Sequence, residues 1–420
     1  MKNIKSTILL IILSVIMFSC APTVTNKEIS AKDILGNPAY LAISYGGYRD
    51  NTREIQPTIN ELKEDMRILN AMGIKVLRTY NTKLKQTSNL LEAISQLKKE
   101  DSNFEMYVML GAWIDCENAW TDNPNHNAED VVANTSEIER AIALTNQYPD
   151  IVKIIAVGNE AMVHWASSFY VSPTIILKWV NHLQDLKKTK KLPSDLWITS
   201  SDNFASWGGG DDSYHNEDLT KLLNAVDYVS LHTYPFHSSH YDSNYWKVPE
   251  NEENLMVIEK SDAAMLRAKN YAIAEYESAA KYIKNVGVDK PIHIGETGWA
   301  TVAGKSHYGS TGSGAADEYK EKLFHDHMRS WTNSVGMSCF YFEAFDENWK
   351  DAQNPLGSEN HFGLITIDGK AKYALWDLVD KGVFKGLTRN GNEISKSYNG
   401  DEELLLNYLL EIPSKSNLEE

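Results

Sequence analysis

The feature that most constrains this chain is a repeating alternation of short apolar runs with amphipathic stretches. Eight runs stand out: "YLAISYGGY" from Tyr40, "IKVLRTYN" from Ile74, "FEMYVMLGAWI" from Phe104, "IVKIIAVGNE" from Ile151, "LWITSSDNF" from Leu196, "VDYVSLHTYPF" from Val226, "PIHIGETGW" from Pro291 and "MSCFYFEAF" from Met337. Runs of this length, rich in Ile, Val, Tyr and Phe, read as buried strands. Between them lie segments such as "TINELKEDMRILNAMG", which sets Ile59, Leu62, Met66 and Leu69 on one helical face and stops at Gly73. Strand then helix, eight times, predicts a closed parallel (β/α)8 TIM barrel as a single catalytic domain. An open doubly wound sheet is the competing arrangement, but "SYGGYRD" after the first run lacks the G-x-G-x-x-G spacing of a phosphate-binding turn.

The ends of the chain read differently. Lys2 and Lys5, an apolar run from Ile8 to Phe18, then Ser19 and Cys20 predict a signal peptide over 1–19, too short to span a bilayer comfortably. Cys20 after a small residue resembles the lipobox of a bacterial lipoprotein, which implies lipidation of Cys20 and anchoring to the outer membrane, on its periplasmic or cell-surface face. An ordinary secretory cleavage near Ala21 is the alternative. Residues 20–38 are expected to be a linker, 39–387 the barrel domain and 388–420 a C-terminal extension with a short amphipathic segment at "EELLLNYLLEI". Removal of the leader would leave Cys116 and Cys339, expected as buried free thiols, with no disulfide framework and no zinc-type spacing.

The formal charge of -16 excludes a nucleic-acid partner, since an acidic surface repels phosphate. No second membrane-length apolar run follows residue 20, so the only membrane contact expected is the lipid anchor. The 11 Trp and 21 Tyr supply flat amphipathic faces, several of them just after strand-like runs. No cofactor is expected, and no metal: His164, His232 and His293 do not converge in a ligand pattern, and "GGGDDSYHNED" from Gly208 lacks the spacing of a calcium loop. His164 and His293 read as structural, and the Gly208 run as a surface loop. The chain is expected to be a monomer.

In a (β/α)8 barrel the chemistry sits at the C-terminal ends of the strands. Here those ends turn polar and aromatic, with Tyr45, Arg78, Tyr80, Trp113, Asn159, Glu160, His232, Tyr234, Glu296, Trp299, Glu343 and Glu347 among them. Glu160 ends the fourth run and Glu296 the seventh, positions that face each other across an eight-stranded mouth. Two carboxylates flanking a bond are what glycoside hydrolysis uses, about 5 to 5.5 Å apart in retaining enzymes.

"VGNE" at 157–160, "HTYPF" at 232–236, "GETGW" at 295–299 and "FEAFDENWK" at 342–350 together resemble glycoside hydrolase family 17, the β-1,3-glucanase family, over roughly residues 40 to 385. The resemblance implies a retaining β-1,3-glucanase of the endo type acting on laminarin-like β-glucan polysaccharide or oligosaccharide, with Glu160 as acid/base and Glu296 as nucleophile. It further implies that Asn159 binds the sugar 2-OH and that Tyr234 orients the nucleophile. Arg78, Tyr80, Glu343, Glu347 and Lys350 would line the donor side of the cleft. Asn348 departs from the proline of the closest branch, which bears on the shape of the rim. Tyr45, His232 and Trp299 complete the expected substrate-binding set, with Trp299 as a flat wall beside the sugar and Gly298 freeing the turn before it. Trp113, Trp165, Trp207, Trp246 and Trp349 also follow strands, and some of these are expected to stack on glucosyl units. A β-1,3-glucanosyltransferase and a non-catalytic surface glycan-binding protein are the alternative readings.

Overall fold

The structure is a computed structural model that describes residues 29–303 and 312–415 of the 420. The expected signal peptide and Cys20 lie outside the described residues. Each apolar run forms one strand: β1 Leu41–Ser44, β2 Ile74–Arg78, β3 Tyr107–Ala112, β4 Val152–Asn159, β5 Trp197–Asn203, β6 Val229–His232, β7 Ile292–Gly298 and β8 Cys339–Phe342. All neighbours are parallel, and β1 pairs with both β2 and β8, closing the barrel. That ring is the expected (β/α)8 architecture.

The outer layer comprises α2 Ile59–Ala71, α3 Lys85–Glu100, α4 Val131–Gln147, α5 Pro173–Lys188, α6 Glu217–Ala225, α7 Val257–Asn285, α8 Glu318–Ser334 and the short α9 Trp376–Asp380. Helix α2 shows why local sequence suffices for most of these. Thr58 and Glu61 form a reciprocal capping box at its start, and Leu62, Met66 and Leu69 bury against the barrel.

Two layers of core result. Outside the barrel, residues such as Leu62, Leu90, Ile138, Ile176 and Phe324 fill the space between strands and helices. Inside, Ala42, Val76, Met109, Ile154, Ala156, Tyr228 and Phe340 form a separate apolar plug. Part of the stretch expected to be a linker joins this inner cluster. A short helix, α1 Ala31–Ile34, buries Ala31 and Ile34 against the N-terminal ends of the strands and closes the barrel floor. Its placement is set by burial: a fully buried Ile side chain contributes roughly 1.5–3 kcal/mol, which a solvated linker would forgo.

The long stretch between β6 and β7 folds as two short helices, Pro235–Tyr241 and Ser243–Trp246, followed by the 29-residue α7. The C-terminal extension packs onto the barrel. Thr388–Arg389 and Asn392–Glu393 form a hairpin, and Ser395–Lys396 pairs in parallel with Lys370–Ala371. Arg389, fully buried, donates from Nε to Asp65 Oδ1 at 3.0 Å. Cys116 and Cys339 are both buried free thiols, and their separate strands explain why.

Candidate active site

The two glutamates reach the mouth by different local devices. β4 breaks register with β5 between Ala156 and Asn159, the mark of a bulge, and the chain then turns through Gly158 at φ +80° and Glu160 at φ +46°. A side chain at Gly158 would approach Ala161 Cβ to 2.8 Å, so glycine is required there. A glutamate in the left-handed region is uncommon, and it is tied down by its own N–H donating to Ser201 O at 2.9 Å. The bulge thereby aims Asn159 and Glu160 into the mouth. Glu296 comes from the middle of β7, in register with His232 of β6, where the strand itself fixes its direction.

Glu296 accepts three hydrogen bonds, one from each of three side chains. Tyr234 Oη donates to Oε1 at 2.7 Å, Tyr80 Oη donates to Oε2 at 2.7 Å, and the Arg78 guanidinium pairs with the same oxygen while also donating to Asn159 Oδ1. Glu160 has a different setting: its Oε1 lies 3.2 Å from His232 Nδ1, and His232 Nε2 lies 2.7 Å from Ser201 Oγ.

These surroundings separate the two acids. Burial, then the charge of Glu296, push the Glu160 carboxyl well above the usual carboxylate range. Burial would raise Glu296 as well, but Arg78 and the hydrogen bonds from Tyr234 and Tyr80 outweigh it and hold the group below that range. His232, pushed down to about 4 by burial, is neutral near pH 7. One carboxyl thus keeps its proton while its neighbour stays ionised, the division of roles that acid/base and nucleophile require.

A cleft of about 1180 Å³ runs beside this pair, lined from β8 and β1 by Tyr48, Glu347, Trp349 and Lys350, from β2 by Tyr80, and from β3 by Trp113 and Asp115. Asn159 and Glu296 open onto it. Among the described residues no group of three His, Cys, Asp or Glu stands close enough to hold a metal ion.

Several expected substrate contacts are placed elsewhere. Trp299 is 0% exposed: it packs against Phe236, Trp246 and Phe324, and its Nε1 donates to Ala315 O at 2.8 Å. Side chains alternate along an extended chain, so a residue three beyond Glu296 faces away from the mouth. Gly298 does not free a turn; a Cβ there would meet Phe342 O of β8 at 2.0 Å, so it permits close strand approach. Tyr45 borders the cleft but is 1% exposed, with its hydroxyl donating to Asp65 Oδ2 at 2.9 Å. His232 is buried behind Glu160 rather than facing a sugar, because Ser201 and Glu160 occupy both its nitrogens.

Glu343 is buried beneath the cleft, where it pairs with Lys350 Nζ at 2.5 Å and so holds the lysine that does line it. Glu347 also lines the cleft, accepting from Tyr48 N at 3.0 Å and Trp349 Nε1 at 3.1 Å. Trp207 and Trp246 are core residues, and Trp165 is exposed and not part of this cleft wall. Trp113 and Trp349 are the two from that group in the cleft wall. Trp120, in the same wall, lies outside the eight apolar runs, and the turn-rich "TDNPN" after it is the local hairpin signal of its loop.

A closed parallel barrel with a protonated glutamate just after its fourth strand and an ionised one on its seventh defines a (β/α)8 glycosidase. The chain belongs to the BtgE/BtgC glycoside hydrolase domain family, whose sequence model matches residues 42–363. Its structure is similar to the crystal structure of an endo-laminarinase from Formosa Hel1_33_131, at 63% identity and a TM-score of 0.91, covering 93% of this chain and 100% of that one. The Aspergillus niger btgC protein, assigned as a glucan endo-1,3-beta-glucosidase, is 26% identical over 319 residues, 74% of this chain but 39% of that protein. This chain therefore spans well under half the length of that relative. A glycoside hydrolase family 17 β-1,3-glucanosyltransferase from Rhizomucor miehei, 18% identical with a TM-score of 0.55 over 80% of this chain and 96% of that one, shares the fold.

Proposed function

We propose that this protein is a retaining glycoside hydrolase of family 17 that cleaves β-1,3-glucans of the laminarin type. The observation that carries this reading is the pair of acids at the barrel mouth, Glu160 beside His232 and Glu296 opening onto the cleft among Tyr234, Tyr80 and Arg78, with opposed electrostatics. Its similarity to the Formosa endo-laminarinase over nearly the whole chain supports the substrate class. In the first step a Glu296 oxygen attacks the anomeric carbon while Glu160 gives its proton to the departing glycosidic oxygen, leaving a covalent glycosyl-enzyme. In the second, the Glu160 carboxylate takes a proton from water, water displaces Glu296 from the anomeric carbon, and the starting configuration returns. Asn159, fixed by Arg78, is placed beside Glu296 to hold the sugar 2-OH, and Tyr234 and Tyr80 hold the nucleophile.

Reducing-sugar release from laminarin, with the anomer of the first product read by NMR, tests the reading. Wild type should give β product, with activity lost in Glu160→Gln and Glu296→Gln; full activity in either variant, or an α product, would defeat it. The basic-then-apolar leader and Cys20 support a further proposal, export as a lipoprotein of the outer membrane. Radiolabelled palmitate should mark the wild-type chain and not Cys20→Ser; equal labelling, or none in either, would reject it.

A further inference from the structure

The loop after β3 is a hairpin, Cys116–Glu117 paired with Asn125–Glu129, and it carries Trp120 at its turn. Trp120 stacks on Phe169 with ring centroids 4.8 Å apart and planes 20° from parallel, and Trp113 closes the group at 5.2 Å from Phe169. With one face covered in this way, Trp120 is still 62% exposed, so its other face is open, and it lines the same cleft as Glu296. Val132, 78% exposed, lines the cleft too and adds apolar surface there.

The ring is held on purpose. Trp120 sits at φ +64°, a left-handed conformation that a bulky side chain avoids. Its N–H donates to Ser168 O at 2.8 Å, and its indole Nε1 donates to Asp115 Oδ1 at 3.2 Å, the same oxygen that receives Trp113 Nε1 at 2.8 Å. Two indoles locked by one carboxylate keep their planes fixed, and an unfavourable backbone conformation retained at a cleft points to use. A packing role would bury the ring; this one is presented.

We infer that Trp120, seated on Phe169 and Trp113, is a stacking platform for a glucosyl unit of the bound chain other than the one held between Glu160 and Glu296. A β-glucosyl ring carries its hydroxyls at the edge and its axial C–H groups on the faces, which suits a flat indole. The inference rests on the proposed glucan substrate and adds a length-sensing subsite on the β3 side.

The test measures kcat and KM on a ladder of laminari-oligosaccharides of defined length. In wild type, kcat/KM should rise with length and then level off. Trp120→Ala should lower the ratio of long-chain to short-chain kcat/KM by roughly threefold to tenfold, chiefly through KM, and Trp120→Phe should recover most of it. Trp165→Ala, exposed but not in this cleft wall, should keep the wild-type ratio. An unchanged ratio in Trp120→Ala, or an equal loss at every length with a lowered Tm, would overturn the platform while leaving the enzyme's activity established. Wild type that cleaves no member of the ladder would overturn the functional reading itself, and the platform with it.

Discussion

Arg78 and Glu296 form a buried ion pair at the mouth of the barrel, and the same guanidinium holds Asn159. One side chain from β2 therefore sets the charge of an acid on β7 and the position of an amide on β4. Arg78→Met should remove the main charge that lowers the Glu296 pKa. With that pKa raised, Glu296 becomes protonated at higher pH, so the acidic limb of the kcat/KM profile should move upward. The rate at the optimum should fall by about 100-fold or more, as when a preorganised donor is lost. An unmoved acidic limb would dismiss this role for Arg78.

Glu160 is raised first by burial and second by the Glu296 charge. Glu296→Gln removes the second cause and leaves the first. Titration of Glu160 by carboxyl-carbon NMR should then show a pKa lower than in wild type but still above that of an exposed glutamate. A value that rises, or stays put, would mean the two carboxyls do not interact.

Trp299 and Trp113 should part company when each becomes Ala. Trp299 leaves a void among Phe236, Trp246 and Phe324, which should cost about 3–5 kcal/mol of stability, seen as a lower Tm. Trp113 lines the cleft, and its loss should raise KM more than it lowers Tm. The reverse pattern would show that the assignment of faces is wrong.

Glu321 on α8 is fully buried, neither carboxylate oxygen has a hydrogen-bond partner among the described residues, and burial pushes its pKa well above the usual range. The unfolded chain ionises this group at ordinary carboxylate pH while the folded chain keeps it neutral, so the folded state loses stability as pH rises from about 4. Glu321→Met should therefore raise Tm at pH 8, by the equivalent of about 1–3 kcal/mol, and the difference should shrink toward pH 4. A variant less stable than wild type at pH 8 would contradict this.

Much of the architecture is legible because strand and helix periods are local. Each of the eight runs is bounded by polar residues, and α2 carries its own cap and stop. The glutamates are legible as a pair: one carboxylate after an apolar strand can be structural, as Glu343 is, but two on opposed strands of one barrel point to chemistry. Depth is what local pattern hides. Tyr45, His232 and Glu343 lie at the right strand ends, yet Asp65 and Ser201, on other elements, and Lys350, in the loop that follows, draw them away from the cleft surface. Trp120 is hidden for the opposite reason: it sits in a hairpin with no period to read.

Helix α1 gives the molecule a polarity. Its Ala31 and Ile34 cork the floor, and the carboxylates lie at the far rim. Ile29, where the described chain starts, therefore lies at the closed end of the barrel, on the side opposite the opening that would receive a polymer.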